Sequence, residues 1–116
     1  MKKLRKFMVA VLSMCMLFGF SVTCYAGTLT ATCEKDWIHA YYKADEYGNV
    51  LKLVMEFTEK HPATGHVYSS SQSRTSGGAY DYISDSRNAD AGYQYTFLNA
   101  YVYENGIYVH QGYDTP

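Results

Sequence analysis

His61 and His66 flank the loop HPATGH, and with His39 or His110 they could offer imidazoles to a metal. Zinc needs three or four ligands held together, usually with a second group orienting each imidazole. Two histidines five residues apart across a turn fall short of that, so they read as loop residues. The segment DYISDSRNAD gathers Asp81, Asp85, Asn88 and Asp90. Such oxygens suit Ca²⁺, but the spacing is not that of an EF-hand loop and its glycine is missing. Asp and Asn also close local hydrogen bonds in ordinary turns. No metal and no cofactor is therefore expected. Cys33 beside a histidine would be a thiol nucleophile, but Gly-x-Ser-x-Gly, His-Glu-x-x-His and a phosphate-binding glycine loop do not occur. The expectation is a protein without enzymatic activity. A small metal-dependent or hydrolytic enzyme is the alternative.

The denser signal is aromatic. In NAYVYENGIYVH, three tyrosines and a histidine surround Asn105-Gly106. Asn-Gly between two β-rich runs is the strongest short hairpin signal, because both residues tolerate positive φ. With those two as the loop, Glu104 faces Ile107, Tyr103 faces Tyr108, Val102 faces Val109 and Tyr101 faces His110. One face then holds Leu98, Ala100, Val102, Ile107 and Val109. The other holds Tyr101, Tyr103, Tyr108 and His110, continued by Phe97, Tyr95 and Tyr93. If the aliphatic face covers the core, the aromatic face is free to stack on a ligand or to stabilise the hairpin by itself. The inverse, with the aromatic face as core, is also compatible with the pattern. The candidate binding residues are Trp37, Tyr101, Tyr103, Tyr108 and His110.

The elements that position them read as strands. Tyr supplies 12 of residues 27–116, and β-branched types are abundant. Strands are expected over 28–33, 37–44, 50–58, 79–84, 93–103 and 107–113, with a weak or edge strand over 66–74. In 50–58, Leu51, Leu53, Met55 and Phe57 alternate with Lys52, Glu56 and Thr58, the pattern of a half-buried antiparallel strand. Residues 46–49, 75–78 and 85–92 read as turns. About seven short strands indicate an all-β, small antiparallel β-sandwich of immunoglobulin-like type, with a small barrel as the alternative.

Residues 1–26 have the anatomy of a secretory signal: basic Lys2, Lys3, Arg5 and Lys6, a 14-residue apolar run over 7–20, and Ala26 at the expected cleavage point. The run is shorter than the roughly 20 residues that span a bilayer. The expected domain is thus 27–116, secreted, without stable membrane insertion. It keeps 6 basic and 11 acidic residues, net −5. That sign disfavours nucleic acid and anionic lipid, which reward Lys/Arg clusters. Cys15 and Cys24 leave with the signal, so Cys33 has no partner for a disulfide framework.

The run DAGYQYTFLNAYVYENG is similar to the penultimate strand of immunoglobulin-like and fibronectin-type sandwiches, although the spacing of Asp90, Gly92, Tyr93 and Tyr95 departs from a tyrosine corner. WIHAYY and HPATGH behind a signal peptide resemble small secreted bacteriocins of the lactococcin type, which are β-sandwiches. The expected function is binding: exposed tyrosines and Trp37 of a small secreted bacterial protein contact a cell-surface glycan or protein. A bacteriocin-like antimicrobial role is the alternative that the second resemblance implies.

Overall fold

The computed structural model describes residues 27–116. The expected signal segment, residues 1–26, lies outside the described residues. Seven strands follow in order: β1 (Thr28–Cys33), β2 (Trp37–Lys43), β3 (Leu51–Lys60), β4 (Val67–Thr75), β5 (Tyr82–Asn88), β6 (Gln94–Glu104) and β7 (Ile107–Asp114). They form two antiparallel sheets with strand orders β1-β2-β5 and β4-β3-β6-β7.

The sheets pack face to face because alternate residues are apolar. Leu51, Leu53, Met55 and Phe57 of β3 are buried, as are Leu98, Ala100 and Val102 of β6. They meet Leu29 and Ala31 of β1, Ile38, Ala40 and Tyr42 of β2, and Ile83 of β5 in one core cluster. Each large apolar side chain so buried contributes about 1.5–3 kcal/mol. Among the described residues, the seven strands share this one core cluster.

Three sequence expectations need correction. Residues 85–92 are not one long turn, since β5 runs on to Asn88 and pairs with β2 as far as Trp37↔Asn88. Polar residues are tolerated there because Asp85 and Arg87, the inward-facing pair, find partners: Gln72 for Asp85, and Glu59 and Asp90 for Arg87.

The last hairpin also shifts. Asn105 and Gly106 adopt φ of 52° and 82°, and Glu104↔Ile107 and Tyr103↔Tyr108 pair as the turn requires. A bulge then makes Val109 an extra residue, so that Val102 pairs with His110 and Tyr101 with Gln111. One added residue reverses which face each side chain takes. His110 therefore leaves the aromatic face and is buried, while Ile107 is exposed at the hairpin tip.

A second irregularity lies between Thr58 and Glu59, which pair with Phe97 and Tyr95 respectively. Thr96 becomes the extra residue. Tyr95 turns into the core at 1% exposure, while Phe97 stays outside at 39%.

Candidate functional site

Register places the site residues. On β6, Phe97, Asn99, Tyr101 and Tyr103 point away from the core. Their direct neighbours on the same outer face are Thr58, Glu56, Val54 and Lys52 of β3, and Tyr113, Gln111 and Tyr108 of β7. The serines and threonine of β4 extend this face through Ser69, Ser71, Ser73 and Thr75.

Two aromatic groups form. Tyr103 meets Tyr101 and Tyr108 edge to face, at 5.9 and 6.0 Å between ring centres, and Tyr101 lies 6.4 Å from Tyr108. Phe97 and Tyr113 stack at 6.3 Å. Phe97 and Tyr101 are four residues apart on one strand, which separates the groups by about 13 Å. Between them runs a chain of polar side chains. Tyr108 donates to Gln111 Oε1 at 2.9 Å, Gln111 Nε2 to Asn99 Oδ1 at 2.9 Å, and Asn99 Nδ2 to Glu56 Oε1 at 3.2 Å. A shallow groove of about 510 Å³ follows the same face between Phe97 and Ser69–Ser71, floored by Thr58 and Glu56.

Packing sets the electrostatics of the tyrosines. Burial, then the charge of Glu56 and the neighbouring Tyr103, raise the pKa of Tyr101. Burial, then Tyr103 and Tyr101, raise that of Tyr108. Both hydroxyls therefore keep their protons at neutral pH and remain hydrogen-bond donors as well as acceptors.

The five expected site residues do not form one site. Tyr101, Tyr103 and Tyr108 come together. Trp37 lies on the outer face of the other sheet, stacked on His39 at 5.3 Å. His110 is in the core, 5.6 Å from the ring of Tyr42, whose hydroxyl donates to the buried Glu104 at 2.6 Å.

No protein-family model matches the chain, and no curated protein matches it. The two sequence resemblances thus gain no family, and the geometry is what remains to be read.

The histidines of HPATGH have a different setting from a metal centre. His66 Nδ1 hydrogen-bonds Tyr93 Oη at 2.9 Å, and His61 packs edge-on to the same ring. Among the described residues, no three His, Cys, Asp or Glu side chains are grouped to hold a metal ion. Nearby, the fully buried Glu59 accepts the Asp90 N–H and pairs with Arg87, both at 3.1 Å. Arg87 also donates to Tyr95 Oη at 2.7 Å and covers the Phe57 ring. Burial disfavours the Arg87 charge, but Tyr95 and Glu59 outweigh it and raise its pKa. This knot closes one end of the core.

Sequence reasoning missed Asn99, Gln111, Glu56 and Tyr113. Asn99 was findable, because it sits at period two between Phe97 and Tyr101. Gln111 and Tyr113 join the face only through the Val109 bulge.

Proposed function

We propose that the chain is a small exported binding protein, without enzymatic activity, that takes an extended glycan on the outer face of its four-stranded sheet. One observation carries this reading: two aromatic platforms lie on one flat face, with a chain of hydroxyl, amide and carboxylate groups between them. Ring faces stack on the C–H faces of sugars, and amides and carboxylates hydrogen-bond their hydroxyls. A flat strip suits a polymer, whereas a small metabolite needs an enclosing cavity. The basic and apolar N-terminal segment supports export, and the net charge of −5 over residues 27–116 argues against nucleic acid. The strand order supports an immunoglobulin-like sandwich in which the fourth strand lies beside the third instead of the fifth.

The test is pull-down of residues 27–116 on insoluble polysaccharides and peptidoglycan, followed by a glycan array. The Tyr103→Ala/Tyr108→Ala double variant should retain at most a tenth of the parent's binding. Trp37→Ala, on the opposite sheet, should leave binding unchanged. Absence of binding to every glycan sinks the proposal, as does binding that depends on Trp37 and ignores both tyrosines.

A further inference from the structure

Among the described residues, the outer edges of the two sheets differ. On β1, the Cys33 N–H is taken by Asp114 Oδ2 at 2.9 Å. On β5, the Ser86 carbonyl accepts Gln72 Nε2 at 3.2 Å, and Asp85 and Arg87 are inward-pointing charges. β7 is broken by its bulge. Such devices keep sheet edges from pairing with other chains. β4 has one of them, and only near one end: Arg74, opposite the buried Leu53. It runs for nine residues, Val67–Thr75, without proline and without a break in its pairing to β3, and Arg74 is its one charge.

The register fixes which of its backbone groups are free. His61 N–H donates to the His66 carbonyl, and Ser76 N–H to the Leu51 carbonyl. These two hydrogen-bonded pairs bracket the strand, and antiparallel pairs alternate between bonded and non-bonded. Tyr68, Ser70, Gln72 and Arg74 therefore bond to β3. Val67, Ser69, Ser71, Ser73 and Thr75 turn both backbone groups away from it.

We propose that these five residues pair with the same strand of a second copy, antiparallel, about a two-fold axis through Ser71. The strand is complementary to itself in that register. Val67 meets Thr75, two β-branched residues. Ser69 meets Ser73, and Ser71 meets its own copy. Between them Ser70 lies opposite Gln72, and Arg74 opposite Tyr68, an aromatic that accepts a cation over its face. No like charges meet, and each outward backbone group has a partner. An axis through any other residue leaves one end of the strand unpaired. The joint is isologous and closed, so it stops at two copies and does not grow into a fibre. It makes one eight-stranded sheet with both aromatic faces on the same side. This inference does not depend on what that face binds.

Sedimentation velocity of residues 27–116 across a concentration series tests it. The parent should shift from monomer to dimer. Ser71→Lys and Ser71→Glu each place like charges against themselves at the axis and should weaken dimerisation at least tenfold. An equimolar mixture of the two should restore it, a result specific to an axis at Ser71. Circular dichroism checks that both variants fold. Hydrogen exchange on the parent provides a test without mutation, in which the Ser69, Ser71 and Ser73 amides gain protection as concentration rises. A parent that stays monomeric to millimolar concentration overturns the proposal, including one whose edge takes an extended peptide. So does a dimer that neither exchange at these amides nor the Ser71 variants affect.

Discussion

Cys33 and Tyr95 hold their protons unusually tightly. Burial comes first for the thiol, then the charges of Asp114 and Glu34, which together push its pKa up to about 12. Burial likewise pushes Tyr95 up to about 12, against the pull of Arg87. The unfolded chain releases these protons nearer 9 and 10, so the folded state binds more protons between those values and 12. Stability from both groups is therefore complete below pH 9 and declines as pH rises toward 12. Urea midpoints measured from neutral to strongly alkaline pH should fall above pH 9. Cys33→Ala should lessen the fall between 9 and 10, and Tyr95→Phe the fall above 10. A midpoint as steep in both variants would refute the assignment. Glu59 gives a second expectation at this scale. Its Oε2 has no hydrogen-bond partner among the described residues, so Arg87 is its main compensation. Arg87→Ala should cost about 3 kcal/mol by leaving a buried carboxylate unpaired, and Glu59→Leu in the same chain should recover much of that. A double-mutant cycle by urea denaturation measures it.

At the scale of elements, the hairpin shows what pattern reading reaches and where it stops. The Asn105-Gly106 turn is legible because only a few residue types accept its backbone. Gly106→Ala forces a side chain onto φ of 82° and should lower stability by about 1–2 kcal/mol, read as a shift in urea midpoint. The turn is also tied sideways, with Asn105 and Val50 exchanging hydrogen bonds at 2.8 and 2.9 Å. Asn105→Gly keeps the backbone but loses the side-chain bond, so it should cost less than Asn105→Ala. The edge position of β4 was legible from its serines, and the faces of β3 from strict alternation. The two bulges were not. Period two runs unbroken through both Tyr95–Phe97 and Tyr108–His110, and no local residue marks an extra position. What decides them is distant: Arg87 donates to the Tyr95 hydroxyl oxygen, and the Tyr42–Glu104 pair lies beside His110. That Trp37 lies on the other sheet from the three tyrosines was hidden for the same reason. Which sheet a strand joins is a long-range pairing, and β2 carries no mark that sets it apart from β3.

At the scale of the whole molecule, the aromatic face and the bare β4 edge have a joint consequence. Two copies joined through β4 present two glycan-binding strips on one side of a continuous sheet. A long polymer can then engage both strips, and the second contact is intramolecular. Avidity of this kind exceeds the single-site affinity by about 10²–10⁴ when geometry permits, and vanishes when the link is cut. Ser71 also lines the groove beside Phe97, so the link is isolated by mixing. Ser71→Lys and Ser71→Glu should each weaken retention on the insoluble polymer at least tenfold. Their equimolar mixture should recover it, while affinity for a short oligosaccharide stays that of the single variants. Tyr103→Ala should weaken both. Calorimetry with the oligosaccharide and a depletion assay with the polymer separate the two. Equal losses on both ligands for Ser71→Lys would mean that the edge serine belongs to the binding strip itself. Equal retention on both would mean that each copy binds alone.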